Sequence, residues 1–129
     1  YQIEFALSEL PHFYALSKFA ISRAGANSIM ELAALQIPSL LIPLTKKYSR
    51  GDQIANARSF EKHGLSITLE EHNIIGNNLL SSLRLLQEKA PYFKENMKNF
   101  FPANSSEKIC EIILQTWQNT FISHLYIRK

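Results

Sequence analysis

Cysteine is nearly absent from this 129-residue chain. Cys110 stands alone, so no disulfide can close within it. It lies in the apolar run of residues 109–114, which predicts a buried small hydrophobe in a protein of a reducing compartment. Long apolar runs are missing too: no stretch reaches the roughly 18 residues that a membrane-crossing helix needs. The four histidines, at 12, 63, 72 and 124, form no HExxH or His/Cys spacing, so neither a metal site nor a cofactor is expected. The chain opens Tyr1-Gln2-Ile3 with no Met and no basic leader. No secretory signal is read there, and an upstream part of the protein is expected to be absent. Charge of one sign is not concentrated either. Fourteen basic residues against eleven acidic ones leave +3, with seven basic residues on each side of residue 71. That spread excludes a nucleic-acid-binding stripe as the main feature.

What is present is ordinary globular material. Apolar residues make up 46% and charged residues 19%, enough to build a modest core and too apolar for a disordered chain. The length suits one domain or less. Residues 3–5 read as the end of a strand. Pro11 fits the first turn of a helix running to about Ser17. Phe19-Ala20-Ile21-Ser22 reads as a short buried parallel strand. The small and polar stretch Arg23-Ala24-Gly25-Ala26-Asn27-Ser28 follows, and Asn27 or Ser28 is expected to cap the next helix. That helix is apolar almost all round through Ile29, Met30, Leu32, Ala33, Ala34 and Leu35, which predicts burial. Ser39-Leu40-Leu41-Ile42-Pro43 is a second strand, residues 52–63 a helix with Gly64 just past its end, and residues 65–69 a third strand.

Strands alternating with helices imply βαβ crossovers and a parallel sheet. After Glu70 the pattern is helical alone. Leu79, Leu80, Leu83 and Leu86 form one stripe, and Pro91 is expected to interrupt it before a second short helix to Phe100. Asn104 with Glu107 reads as a capping box. The helix it opens carries Ile109, Ile112, Ile113 and Trp117 on one face, for the core or for a partner. Three strands are few for a doubly wound α/β domain. The chain therefore reads as the C-terminal half of such a domain (residues 1–75) followed by a helical segment (76–129) that packs on it.

In an open parallel sheet, ligands bind beyond the carboxyl ends of the strands. Two loops leave strand ends there. At residues 22–28, Gly25 and its alanine neighbours let backbone approach a ligand, and the helix that follows presents unpaired N–H groups and a positive dipole end. That combination suits a phosphate or diphosphate. Glu31, one turn into the helix, reads either as an acceptor for the vicinal hydroxyls of a ribose or as a partner of the dipole or of Arg23. At residues 46–53, Asp52 begins a helix and can simply charge its N-terminus, while Gln53 and Asn56 carry amides suited to sugar hydroxyls. Lys46, Lys47 and Arg50 fit a solvated loop or an anionic substrate. Ser22 and Ser28 lie in no GxSxG elbow, and His12 reads as structural.

Three ordered strings then carry a resemblance: residues 21–32 (ISRAGANSIMEL), 37–44 (IPSLLIPL) and 49–57 (SRGDQIANA). Together they closely resemble the MurG family, the bacterial UDP-N-acetylglucosamine–lipid I N-acetylglucosaminyltransferases of glycosyltransferase family 28. The resemblance covers about residues 8–75 and implies a GT-B fold whose C-terminal domain binds the UDP-sugar. It implies that Glu31 holds the ribose hydroxyls, that Gly25, Ala26, Asn27 and Ser28 lie beside the diphosphate and sugar, and that Gln53 contacts the N-acetylglucosamine. Asn56 follows in the same motif. Asp52 is a carboxylate where some members have a second glutamine, and Arg23 matches a recurrent arginine.

The implied reaction is an inverting transfer of N-acetylglucosamine from UDP-GlcNAc to lipid I, with no essential metal. The lipid I site, the contact with the cytoplasmic face of the inner membrane and the uracil-contacting segment would all lie in parts this chain lacks, leaving the chain inactive by itself. The alternative is a partner-dependent or degenerate, non-catalytic subunit that works with a separate chain, as in the two-subunit N-acetylglucosaminyltransferase of the dolichol pathway.

Overall fold

The computed structural model describes residues 2–100 and 105–126, the side chains of 105 and 119–126 excepted. In chain order the elements are α1 (Leu10–Leu16), β1 (Ala20–Ser22), α2 (Ala26–Ala34), β2 (Ser39–Leu41), α3 (Asp52–Lys62), β3 (Ser66–Thr68), a 3-10 turn (Glu71–Asn73), α4 (Asn78–Phe100) and α5 (Ser105–Tyr126). The three strands form one parallel sheet in the order β1-β2-β3. Ile21 pairs with Leu40 and Leu40 with Ile67, so Ser22, Leu41 and Thr68 end in line at one edge. This is the α/β architecture expected from the alternating pattern.

β2 is central and has no exposed face. Leu40 and Leu41 point to opposite sides of the sheet, and both are 0% exposed. Their neighbours in the core are Ile29 and Ala33 of α2, Ala57 and Phe60 of α3, Leu65, Ile67 and Leu69 around β3, and Leu86, Phe93 and Met97 of α4. α4 thus shares one core with the sheet, whereas α5 contributes none of its described side chains.

The helix ends are read from hydrogen bonds. α3 closes with Gly64 in the left-handed region (φ +65), as Gly64 N–H donates to Glu61 O and Leu65 N–H to Phe60 O. α2 closes in the same manner on Gln36 (φ +55), with Ile37 N–H donating to Leu32 O at 2.8 Å.

Several expectations are corrected. Residues 3–5 form no strand, because no ladder is there for them to join. β1 is an edge strand and not a buried one: Ile21 is 55% exposed. α2 starts at Ala26 behind Gly25, so Asn27 and Ser28 fall inside its first turn and neither caps it. Met30 and Leu35 are exposed, so only the face of α2 carrying Ile29, Leu32 and Ala33 is buried. α4 runs unbroken through Pro91. A proline there costs a hydrogen bond and a steric contact, about 3 kcal/mol. Burial of Leu86, Phe93 and Met97 on one stripe, at roughly 1.5–3 kcal/mol each, outweighs it.

Cys110 is exposed, because α5 buries none of its described side chains. Ile109, Ile112, Ile113 and Trp117 are exposed with it. Asn104, the first half of the expected capping box, lies outside the described residues.

Candidate functional site

All three strands deliver their loops to the same edge, and Arg23 ties those loops together. Leaving β1, its guanidinium donates to Ile42 O just past β2 (3.2 Å) and to Glu71 Oε1 beyond β3 (2.7 Å). Arg23 therefore pairs with Glu71 and not with Glu31. With both partners half-exposed, the pair adds little stability. Arg23→Ala is expected to lower unfolding free energy by about 0.5–1 kcal/mol, with the loss shrinking at high salt, as urea denaturation at two ionic strengths would show. A salt-independent loss above this range would contradict a half-exposed tie.

Next to this tie, Ala24 is wholly buried and its carbonyl accepts a hydrogen bond from Asn56 Nδ2 (3.1 Å). Gln53 Oε1 accepts from Leu44 N–H (3.1 Å). The first turns of α3 are thus fastened to both edge loops by the two amide side chains singled out in the sequence. Each keeps a free half: among the described residues no hydrogen bond is made by Gln53 Nε2 or Asn56 Oδ1. Asp52 is exposed in the first turn of α3, where its charge complements the helix dipole. Lys46, Lys47 and Arg50 are exposed as well, and Lys47 Nζ lies 5.5 Å from the Tyr48 ring, which fits the solvated-loop reading.

Gly25 sits at the mouth of α2 in extended conformation, and no side chain caps the N–H groups behind it. A Cβ built on Gly25 would meet nothing nearer than Ser28 Oγ at 4.0 Å. The chain's own packing does not require glycine there. Ala26 and Asn27 are exposed beside it, and Ser28 is half-buried.

Glu31 lies five residues into α2, about 7.5 Å along the helix axis from Ala26. Its Oε2 accepts a hydrogen bond from the Tyr14 hydroxyl at 3.2 Å. Burial raises the pKa of Tyr14, and the hydrogen bond and charge of Glu31 raise it further, so the phenol stays a donor at neutral pH. Both residues line a cavity of about 800 Å³ between α1 and α2, walled by Leu7, Leu10, Pro11 and Leu35. Tyr14 and Glu71 were not singled out in the sequence. Their partners lie 17 and 48 residues away, and no local spacing marks them.

Residues 3–112 match the glycosyltransferase family 28 C-terminal domain. The chain belongs to glycosyltransferase family 28. Within this family the three-stranded parallel sheet is part of a GT-B half. A relative from Clostridium tetani is 50% identical over 112 residues, which is 87% of this chain and 31% of the relative. Relatives from Geobacillus kaustophilus and Geobacillus thermodenitrificans are 44% and 45% identical, over 89% and 92% of this chain and 32% of each relative. All three are named UDP-N-acetylglucosamine--N-acetylmuramyl-(pentapeptide) pyrophosphoryl-undecaprenol N-acetylglucosamine transferase, the MurG activity. The family 28 chain described here spans about a third of their length.

Proposed function

We propose that this chain is the donor-site part of a MurG-type enzyme, which moves N-acetylglucosamine from UDP-GlcNAc to the lipid-linked muramoyl acceptor in peptidoglycan synthesis. One observation carries the reading. An uncapped helix start behind an unobstructed glycine lies one and a half turns from a carboxylate with an open oxygen. The diphosphate takes the first-turn N–H groups of α2, which accept negative charge without reorganising. Glu31 accepts the ribose hydroxyls. Gln53 and Asn56 face the sugar with the amide groups they keep free, and Asn27, Ser28 and Asp52 border it. Arg23 acts on the site by holding its loops together.

In the reaction, the acceptor's C4 hydroxyl attacks the anomeric carbon with inversion, and the bond to UDP breaks. The leaving diphosphate gathers charge where the dipole of α2 is positive. The attacking proton passes to a base outside this chain, and the acceptor binds outside it too. No helix among the described residues is long and apolar enough to cross a membrane. Contact with the cytoplasmic face of the inner membrane is assigned to the remainder of the protein, and this chain alone is expected to be inactive.

Calorimetry with UDP-GlcNAc tests the reading in the full-length protein. Gly25→Ala is the sharpest probe. Stability should stay within about 0.5 kcal/mol, because the added methyl meets open space, while donor binding weakens by about 1 kcal/mol as that methyl crowds the ligand. Unchanged donor affinity would remove the diphosphate from this loop.

A further inference from the structure

We propose that Tyr14 is a positioning residue for the donor site, holding one oxygen of the Glu31 carboxylate so that the other is presented to the ribose diol. The inference rests on the reading of Glu31 given above and adds to it the group that aims the carboxylate. Glu31 is exposed on α2, and its three side-chain torsions leave the carboxylate free to swing in water. Among the described residues, its only side-chain hydrogen bond is the one from Tyr14.

Tyr14 suits that task. It has two side-chain torsions, the residue is half-buried on α1, and its hydroxyl carries a single hydrogen to donate. Oε2 is engaged, Oε1 makes no hydrogen bond among the described residues, and Glu31 lines the α1–α2 cavity. A carboxylate held in this way gives up less freedom when a diol arrives, which is the usual gain from preorganisation. The phenol stays protonated through the neutral range, so the tie persists there.

A merely structural role, docking α1 on α2, makes a different prediction. The test is Tyr14→Phe in the full-length protein, which keeps the ring and removes only the hydroxyl. Binding of UDP and of 2′,3′-dideoxy-UDP is measured by calorimetry. Tyr14→Phe is expected to weaken UDP roughly five- to tenfold and to leave dideoxy-UDP unchanged. Combined with Glu31→Ala, it should cause no further loss beyond that of Glu31→Ala alone.

Equal loss for both nucleotides would overturn the inference in favour of helix docking, as would no loss for either. Should Glu31→Ala bind UDP as tightly as the unmodified protein, the reading of Glu31 fails and the inference goes with it. Should Glu31→Ala lose affinity while Tyr14→Phe does not, only the inference fails. If Tyr14→Phe proves too unstable to assay, Tyr14→His and Tyr14→Leu decide the matter: the histidine keeps a ring N–H donor and should bind UDP more tightly than the leucine does, with dideoxy-UDP bound alike by both, and equal UDP affinity in the two variants would overturn the inference.

Discussion

Glu31→Ala in the full-length protein is expected to weaken UDP-GlcNAc binding by about 1–3 kcal/mol, the loss of a hydrogen-bonded charge, or roughly 5- to 150-fold in Kd. The change touches little of the fold. Glu31 is exposed on α2, and the buried face of that helix is made by Ile29, Leu32 and Ala33. Its removal leaves Tyr14 without its carboxylate partner but free to reach water, so the melting temperature should move little. Calorimetry on the wild type and the variant checks both halves. A variant that keeps its donor affinity would take the nucleoside away from this helix face and with it the proposed orientation of the sugar nucleotide. A variant that melts much earlier would show that the Tyr14–Glu31 contact serves the fold.

Gly64→Ala should be the most destabilising small change on this surface, by about 2–3 kcal/mol. Two costs add. The left-handed conformation (φ +65) strains any residue with a Cβ by about 1–2 kcal/mol. The new Cβ would also stand 2.5 Å from Asn96 Nδ2 and 2.7 Å from the Tyr92 hydroxyl. Asn96 Nδ2 donates to Gly64 O at 2.9 Å, so making room breaks the hydrogen bond that fastens α4 to the turn between α3 and β3. Chemical denaturation measures the sum. Adding Asn96→Ala should remove the closer of the two clashes and leave the strain and the Tyr92 contact, so the double variant should lose less than the two single changes together. Strict additivity would mean that Gly64 and Asn96 do not meet.

Gly64 was legible in the sequence, and for a physical reason. A helical run that stops at a glycine before an apolar strand needs a left-handed residue at that point. The three strands were legible as short stretches rich in apolar residues at 19–22, 39–43 and 65–69, each of which contains a strand, at 20–22, 39–41 and 66–68. The loop at 23–28 followed from them, since loops after parallel strands share an edge. What was misread depended on neighbours distant in sequence. An apolar strand does not announce whether one side or both will be paired, so the sequence predicts a buried β1 where Ile21 is exposed. Pro91 was read as a break because local propensity argues for one, and only the burial of Leu86, Phe93 and Met97 against the sheet shows why the helix continues. Cys110 was read as buried from the apolar run around it, although α5 turns that run outward. Arg23–Glu71 and Tyr14–Glu31 needed the folded chain, because nothing local encodes a contact across 17 or 48 residues. The candidate donor-site residues came from spacing and resemblance. For Arg23, Glu31, Gln53 and Asn56 the structure adds the partner that holds each side chain.

The margin of the sheet along Ile21 carries a practical consequence. Among the described residues no strand neighbours β1 on its outer side, which is flanked by the exposed Phe19 and Ile21 side chains. Such a margin is a template for any extended segment that reaches it, including the same margin of another copy. Expressed apart from the rest of a family-length polypeptide, the chain is expected to self-associate with rising concentration, as sedimentation or light scattering over a concentration series would show. Lysine substitutions at Phe19 and Ile21 are the natural way to keep it monomeric for calorimetry.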